Sequence, residues 1–295
     1  MSGPTTLNVY LTRRCTAHCV WCTGRGQAQT EKDISISLVE KTLSLFPTIQ
    51  GVCLAGLGEP LLYNEMPELL EMCLSRGMFV GLITNGHMVT AWDGLIDFTR
   101  FGYVNVSVNS IDPEEYRVVC GVDRLGDVIK GIEYLVAYNA NVQTSFVTSA
   151  DNIGKAQGWI DWSRALGVKT VVVHNMLPGL HQSRESFMTN VLTETHRGAV
   201  ASLDDGGITL HRPVLVGSDG ALCPATCRSP FDTIGVDGLG NITGCHRVLG
   251  PSAVYGNVLK DGATCFFSKH YEDLRASMTT KNPSELCQSC FGCWS

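Results

Sequence analysis

Much that would classify a protein quickly is missing from this chain of 295 residues. No apolar stretch is long enough to span a bilayer, which predicts no membrane partner. The opening run MSGPTTLNVYL lacks the basic-then-apolar order of a secretory signal. There is no Lys/Arg-rich run, and the formal charge is −6, which argues against broad nucleic-acid binding while leaving room for a local basic pocket. Charged residues are only 17% against 44% apolar, an ordinary globular balance able to bury a sizeable core. Internal repeats and low-complexity segments are absent. The expectation is a cytoplasmic chain of one large domain, or a domain and a half.

What the chain has in plenty is cysteine. Thirteen cysteines without a secretory signal are hard to read as disulfides, because a reducing cytosol favours metal ligation or redox chemistry. Cys15, Cys19 and Cys22 stand in the run CTAHCVWC, a C-x3-C-x2-C spacing. Three thiolates on one short loop can hold three irons of a [4Fe–4S] cube and leave the fourth open to a cofactor, whereas an electron-carrying cluster normally takes four cysteines. A zinc site, with His18 as a further ligand, or scattered structural cysteines are the alternatives at this point. The loop follows the apolar segment Leu7–Leu11, so the cysteines leave the end of a first strand, where α/β folds place their chemistry.

The first two-thirds alternates strand-like and helix-like patterns. Strands are expected at Leu7–Leu11, Val52–Ala55, Phe79–Thr84, Val104–Val108, Val142–Thr148 and Val168–His174, short and β-branched as buried parallel strands are. Helices are expected at Ser37–Phe46, Met66–Ser75, Trp92–Phe98, Gly126–Tyr138 and Gly154–Leu166, with Ser37 as an N-cap. Six β/α units predict a partial (β/α)6 barrel with its site at the carboxyl ends of the strands. After residue 175 the composition shifts: Met176–Ser186 reads as loop, Thr193–Leu203 as helix and Ile208–Val216 as strand. Short strands at Thr233–Val236 and Asn241–Cys245, turned by Gly238 and Gly240, and an amphipathic helix at Phe267–Met278 complete a small Cys-rich α+β module. The expected division is 1–216 for the barrel with its connecting segment and 217–295 for the module.

On the cysteine loop, with Trp21 as the aromatic before its last cysteine, the chain resembles the radical S-adenosylmethionine (SAM) superfamily. The resemblance implies that Cys15, Cys19 and Cys22 hold a [4Fe–4S] cluster whose open iron chelates SAM, and that an electron from a flavodoxin- or ferredoxin-like donor cleaves SAM to methionine and a 5′-deoxyadenosyl radical. Gly56-Leu57-Gly58-Glu59-Pro60 is similar to the superfamily's Gly-Gly-Glu motif, in a G-x-GEP form, whose backbone contacts the SAM amino group. Thr84-Asn85-Gly86 ends the third strand as TNG often does in these enzymes. Ser107 and Asn109 end the fourth, facing the SAM ribose or carboxylate, and His174 ends the sixth, on the adenine side. Arg117 and Arg124 follow the fourth strand and read first as solvated surface residues, with pairing to a substrate anion as the alternative.

A second set, Cys227, Cys245, Cys287 and Cys290, looks like a twitch auxiliary-cluster module, the shortened relative of the SPASM domain. Four thiolates would saturate a second [4Fe–4S] cluster; a structural zinc site with four cysteine ligands asks for the same donors. The wider SPASM spacing is not met, since only Cys293 follows. Of the six cysteines in neither set, Cys53 and Cys73 read as core residues. Cys120 is unassigned, and Cys223, Cys265 and Cys293 lie where a thiol could return a hydrogen atom to a substrate radical.

Three outcomes are open to a substrate radical. An auxiliary cluster that accepts the second electron gives oxidation, as in aminoglycoside-pathway dehydrogenases with twitch modules, whose ligand spacing this chain resembles. A thiol donor gives epimerisation, and capture by an acceptor atom gives a crosslinked peptide. With the first strand expected near Leu7, no fused leader-recognition domain is expected, which favours a small polar sugar- or cyclitol-like substrate from natural-product biosynthesis over a peptide. Arg212, His211 and His246 are the candidate bases for the alcohol proton. An RNA- or nucleotide-modifying enzyme and a two-cluster electron carrier are the other classes weighed; the GLGEP and TNG segments speak against a carrier without SAM.

Overall fold

The computed structural model describes residues 3–22, 33–176, 189–215, 228–245 and 253–279. The chain falls into two compact units, one from within Met1–Cys15, Gly26–Leu82 and Cys223–Ser295, the other from within Thr16–Arg25 and Ile83–Leu222.

In the first unit β1 (Thr6–Tyr10) is central, paired in parallel with β2 (Gly51–Ala55) on one side and β8 (Thr233–Val236) on the other. Flanked on both edges, it is buried from Leu7 to Tyr10, so apolar and polar residues alike are inside. β3 (Phe79–Thr84) continues the parallel order beyond β2. Beyond β8 the sheet turns antiparallel through β9 (Asn241–Thr243) and β10 (Val254–Asn257). The β8–β9 turn needs a left-handed residue, supplied by Gly240 at φ 79°. Helices α1 (Ile36–Leu45) and α2 (Met66–Ser75) belong to this unit, as does a final described helix, Lys269–Thr279.

The second unit holds β4 (Tyr103–Ser107), β5 (Val142–Thr148), β6 (Thr170–Asn175) and β7 (Thr209–His211), all parallel in that order. Helices α3 (Pro113–Cys120), α4 (Leu125–Ala137) and α5 (Ala156–Ala165) accompany them. The core here includes Phe146 stacked on Trp159, ring centroids 5.0 Å apart and 5° from parallel.

All six expected parallel strands are present, and the fold is α/β. The differences are local. Ser35, not Ser37, caps α1, accepting the Leu38 amide. The helix expected at Trp92–Phe98 is replaced by two 3-10 turns, Val89–Trp92 and Phe98–Arg100, because the chain reverses at Gly94 with φ 71°. A helix that periodicity does not reveal, α3, follows β4; Asp112 caps it through the Glu115 amide at 2.8 Å, Pro113 begins it and Gly121 at φ 69° ends it. The Thr193–Leu203 helix shrinks to a 3-10 turn and the helix Arg197–Ala201, and the Ile208–Val216 strand to Thr209–His211. The final helix begins two residues later than expected, and β10 has no counterpart in the sequence reading. Residues 177–186 of the expected loop lie outside the described residues. Among the described residues no helix is long and apolar enough to cross a membrane.

One close approach in the second unit is testable. A Cβ on Gly131 of α4 would stand 2.7 Å from the Gly86 carbonyl oxygen and 3.2 Å from Val89 Cβ. Gly131→Ala should therefore destabilise by about 1–3 kcal/mol in urea unfolding, despite the ~1 kcal/mol that alanine adds to helix propensity. A gain in stability would mean that the turn after β3 yields freely.

Candidate functional site

In the first unit the chain leaves β1 through Leu11 and Thr12, both buried. Thr12 Oγ1 accepts the Arg14 amide at 3.2 Å and Arg14 Nε at 3.3 Å. The Arg14 guanidinium donates to Asp33 at 2.5 Å and to the Leu62 carbonyl at 2.7 Å. The G-x-GEP segment closes on the same backbone. Glu59 N–H donates to the Arg14 carbonyl at 2.8 Å. A Cβ on Gly58 would lie 2.3 Å from that oxygen and 2.6 Å from the Thr12 oxygen, so only glycine fits. At Gly56 the nearest atom would be 3.5 Å away, an ordinary contact. Glu59 is 2% exposed and its Oε1 accepts the Leu61 amide at 3.0 Å, capping a 3-10 turn. Its carboxylate is thereby a structural cap; its backbone holds the loop that delivers Cys15, which is half-buried.

The second unit holds the rest of that loop by a different device. His18 N–H donates to the Cys120 carbonyl at 2.8 Å and Val20 N–H to the Val119 carbonyl at 2.9 Å, so residues 18–20 lie along the end of α3. Thr16 Oγ1 receives Asn85 Nδ2 at 2.9 Å and meets His87 Nδ1 at 2.8 Å. His87 Nε2 in turn meets the Tyr116 hydroxyl at 2.7 Å. The Asn85 side-chain oxygen accepts the His87 amide at 3.0 Å, and Thr84 Oγ1 accepts the Gly86 amide at 3.0 Å. His87 is 4% exposed; burial first, then the Arg124 guanidinium, pulls its pKa down to about 4, so its ring is neutral at pH 7. Burial and the neighbouring Cys120 and Cys19 thiols hold Tyr116 far above the usual phenol range. Thr16, His87 and Tyr116 carry no sequence signal beyond lying next to the motifs.

The other expected residues are scattered over ordinary roles. Cys19 and Trp21 are half-buried and Cys22 is exposed, with its amide donating to the Cys19 carbonyl at 3.2 Å. Trp21 Nε1 is buried with no hydrogen-bond partner among the described residues. Ser107 lies beside Ser145 at 3.4 Å, and Asn109 takes a left-handed φ of 64°, an uncommon conformation for a residue with a side chain. His174 is half-buried at the end of β6, opposite Val147. Arg212 donates to the Leu203 carbonyl at 2.7 Å. Arg117 and Arg124 form i,i+3 ion pairs with Glu114 and Asp127. Cys265 is buried in a 3-10 helix against Gly256, and burial pushes its thiol up to about 11. Of the second cysteine set only Cys245 is described, just past β9; Cys227, Cys287 and Cys290, with Cys223, Cys293 and His246, lie outside the described residues.

Among the described residues no three His, Cys, Asp or Glu side chains gather closely enough for a single metal ion. A cube makes a different demand, since each thiolate takes its own iron. Three cysteines on an eight-residue loop fit that demand on donor chemistry.

Residues 9–154 match the family model described as Radical SAM superfamily. Among curated proteins, the chain is 28% identical over 191 residues to the "Probable GTP 3′,8-cyclase" of Sulfolobus acidocaldarius, covering 63% of this chain and 60% of that one. It is 30% identical over 167 residues to the protein of the same name from Sulfurisphaera tokodaii, covering 55% and 53%. The match thus spans less than two thirds of these relatives. Among solved structures, Streptococcus suis SuiB bound to precursor peptide SuiA superposes with a TM-score of 0.74 at 15% identity, over 94% of this chain and 67% of that one. Native anSMEcpe with bound AdoMet and the Kp18Cys peptide gives 0.73 at 15% identity, over 98% and 89%. At such identities the likeness is one of fold.

The two anchors of the loop make separate predictions. Gly58→Ala should lower the iron retained after anaerobic reconstitution severalfold, whereas Gly56→Ala should leave it near the unmodified protein; equal retention would remove the steric role of Gly58. His87, neutral in the fold, is protonated in the unfolded chain below about pH 6.5, so the unfolded state binds more protons. Stability should fall as pH drops from 6.5 towards 4, by roughly 3 kcal/mol for this group. His87→Gln should flatten that part of a pH series of urea unfolding curves.

Proposed function

We propose, for a chain whose residues 9–154 match the radical SAM superfamily model, an enzyme that uses SAM to take a hydrogen atom from an unactivated C–H bond of a small polar substrate and oxidises it by two electrons. The observation that carries this reading is the order of motifs along the strands: the cysteine loop after β1, G-x-GEP after β2 and TNG at the end of β3. When bound, the cluster and SAM supply one electron and a 5′-deoxyadenosyl radical. Cys15, Cys19 and Cys22 are the proposed iron ligands. Gly56, Gly58 and the Glu59 backbone are assigned to the methionine moiety, with Ser107, Asn109, Trp21 and His174 assigned to the rest of SAM. Thr84 and Asn85 support the site through the turn and the loop, because their side chains are already bonded to Gly86, His87 and Thr16.

Oxidation of a secondary alcohol removes one hydrogen atom, one electron and one proton. The electron acceptor in this reading is a second cluster on Cys227, Cys245, Cys287 and Cys290 in a twitch-like module from residue 217 onward. The reductant for SAM is a flavodoxin- or ferredoxin-like protein. A second reading, cyclisation of a purine nucleotide, is favoured by the names of the curated relatives, matched over 63% of this chain at 28% identity in one case.

Replacing Cys15, Cys19 and Cys22 together with alanine should abolish 5′-deoxyadenosine formation from SAM and dithionite under anaerobic conditions. Formation by that variant would overturn the ligand assignment. Offering the unmodified protein GTP and an aminocyclitol separately decides the substrate class. A product two hydrogens lighter than the cyclitol supports oxidation; GTP consumed with 5′-deoxyadenosine released supports the second reading.

A further inference from the structure

Cys120, which belongs to neither cysteine set, ends α3 in the second unit and is 2% exposed. Two carbonyls at the end of that helix are taken by the cysteine loop: Cys120 receives the His18 amide at 2.8 Å and Val119 the Val20 amide at 2.9 Å. The last carbonyls of a helix have no partner within it, so the loop supplies this cap. The same strip runs past Gly121, where a Cβ would stand 3.0 Å from His18 Cβ and 3.1 Å from the His18 carbonyl oxygen. Cys19 is therefore bracketed: the residue on each side of it is bonded to Cys120 or to the residue before Cys120.

The thiols converge as the backbones do. The Cys120 side chain hydrogen-bonds the Tyr116 hydroxyl one turn back on α3, and the Cys19 thiol acts electrostatically on that same hydroxyl. Both cysteines are free thiols. A disulfide asks for Cα atoms within about 7 Å of each other, a range that the backbone bonds flanking Cys19 impose. The two differ in access: Cys19 is only half-buried, open to a small oxidant, whereas Cys120 is enclosed. An accessible thiol beside a sheltered one is the arrangement of an attacked cysteine and the cysteine that resolves it.

We propose that Cys19 and Cys120 form a reversible disulfide when an oxidant reaches the cluster-free loop, withdrawing one of its three thiolates until a dithiol reductant returns it. With diamide as the oxidant, the Cys19 thiolate adds to the N=N bond. The Cys120 thiolate then attacks the Cys19 sulfur, forms the S–S bond and expels the hydrazine. The two thiols lose two electrons and two protons, and the diazene gains them. Competition between this disulfide and iron rests on Cys19 as a cluster ligand in the proposed function; the disulfide itself rests on the geometry of the loop and α3.

The test treats the full chain, freed of iron by a chelator, with diamide, blocks the remaining thiols with N-ethylmaleimide in urea and cuts with trypsin without reductant. Cleavage puts Cys19 in residues 15–25, CTAHCVWCTGR, and Cys120 in residues 118–124, VVCGVDR. Mass spectrometry should find these two peptides joined, two hydrogens lighter than their sum, as the main form of the second, and dithiothreitol should separate them. The link should persist when Cys15 and Cys22 are both replaced by serine and be lost in Cys19→Ser. A disulfide within residues 15–25 with Cys120 alkylated overturns the proposal, as does Cys120 alkylated with no disulfide formed. Protein reconstituted anaerobically with iron and sulfide should form the link severalfold less under the same treatment. Equal linkage with the iron retained overturns the competition and takes Cys19 out of the ligand set, while the disulfide stands.

Discussion

The loop after β1, which carries Cys15, Cys19 and Cys22, is shaped at its start by backbone contacts that tolerate no side chain. Gly58 lies against the carbonyls of Thr12 and Arg14 so closely that a single methyl group would overlap both, and the Glu59 amide uses the same proximity to bond Arg14. The buried Glu59 carboxylate caps the next turn and so keeps that amide aimed. Each contact is worth little in net terms, but together they leave the chain after β1 one route.

The other end of the loop uses side chains for the same purpose. Thr16 is joined to Asn85 and His87, and His87 to Tyr116, in a row of short hydrogen bonds in which a neutral imidazole donates from one ring nitrogen and accepts at the other. Burial supplies that neutrality by making the charged ring costly. TNG thus acts here as scaffolding: the threonine and asparagine close their own turn, and the following histidine reaches the loop. Groups that hold the ligands in place commonly tune a metal site as much as the ligands themselves do.

Charge placement separates the surface from the interior. Arg117, Arg124, Arg164, Arg197 and Arg228 sit in i,i+3 or i,i+4 ion pairs, largely exposed and worth little each. Arg275 is the opposite case, buried with its guanidinium over the Phe266 and Tyr271 rings and in no ion pair among the described residues.

The six parallel strands and the cysteine loop are legible because short β-branched runs and a C-x3-C-x2-C spacing are local patterns, written within a few residues. The helix after β4 escapes such a reading although Asp112, Pro113 and Gly121 mark its ends, since eight residues give periodicity too little length to show. The expected helix at 92–98 fails for a local reason too, a reversal at Gly94 that apolar spacing does not register. The sequence by itself determined the strands of the parallel core, the three-cysteine loop and the glycine-rich segments that follow the strands. Tertiary structure alone decided that Gly58 and not Gly56 is sterically irreplaceable, that His87 is neutral, and that Arg275 is buried over two aromatic rings. Those properties depend on distances between residues far apart in the chain, and desolvation and overlap exist only once the chain has closed on itself.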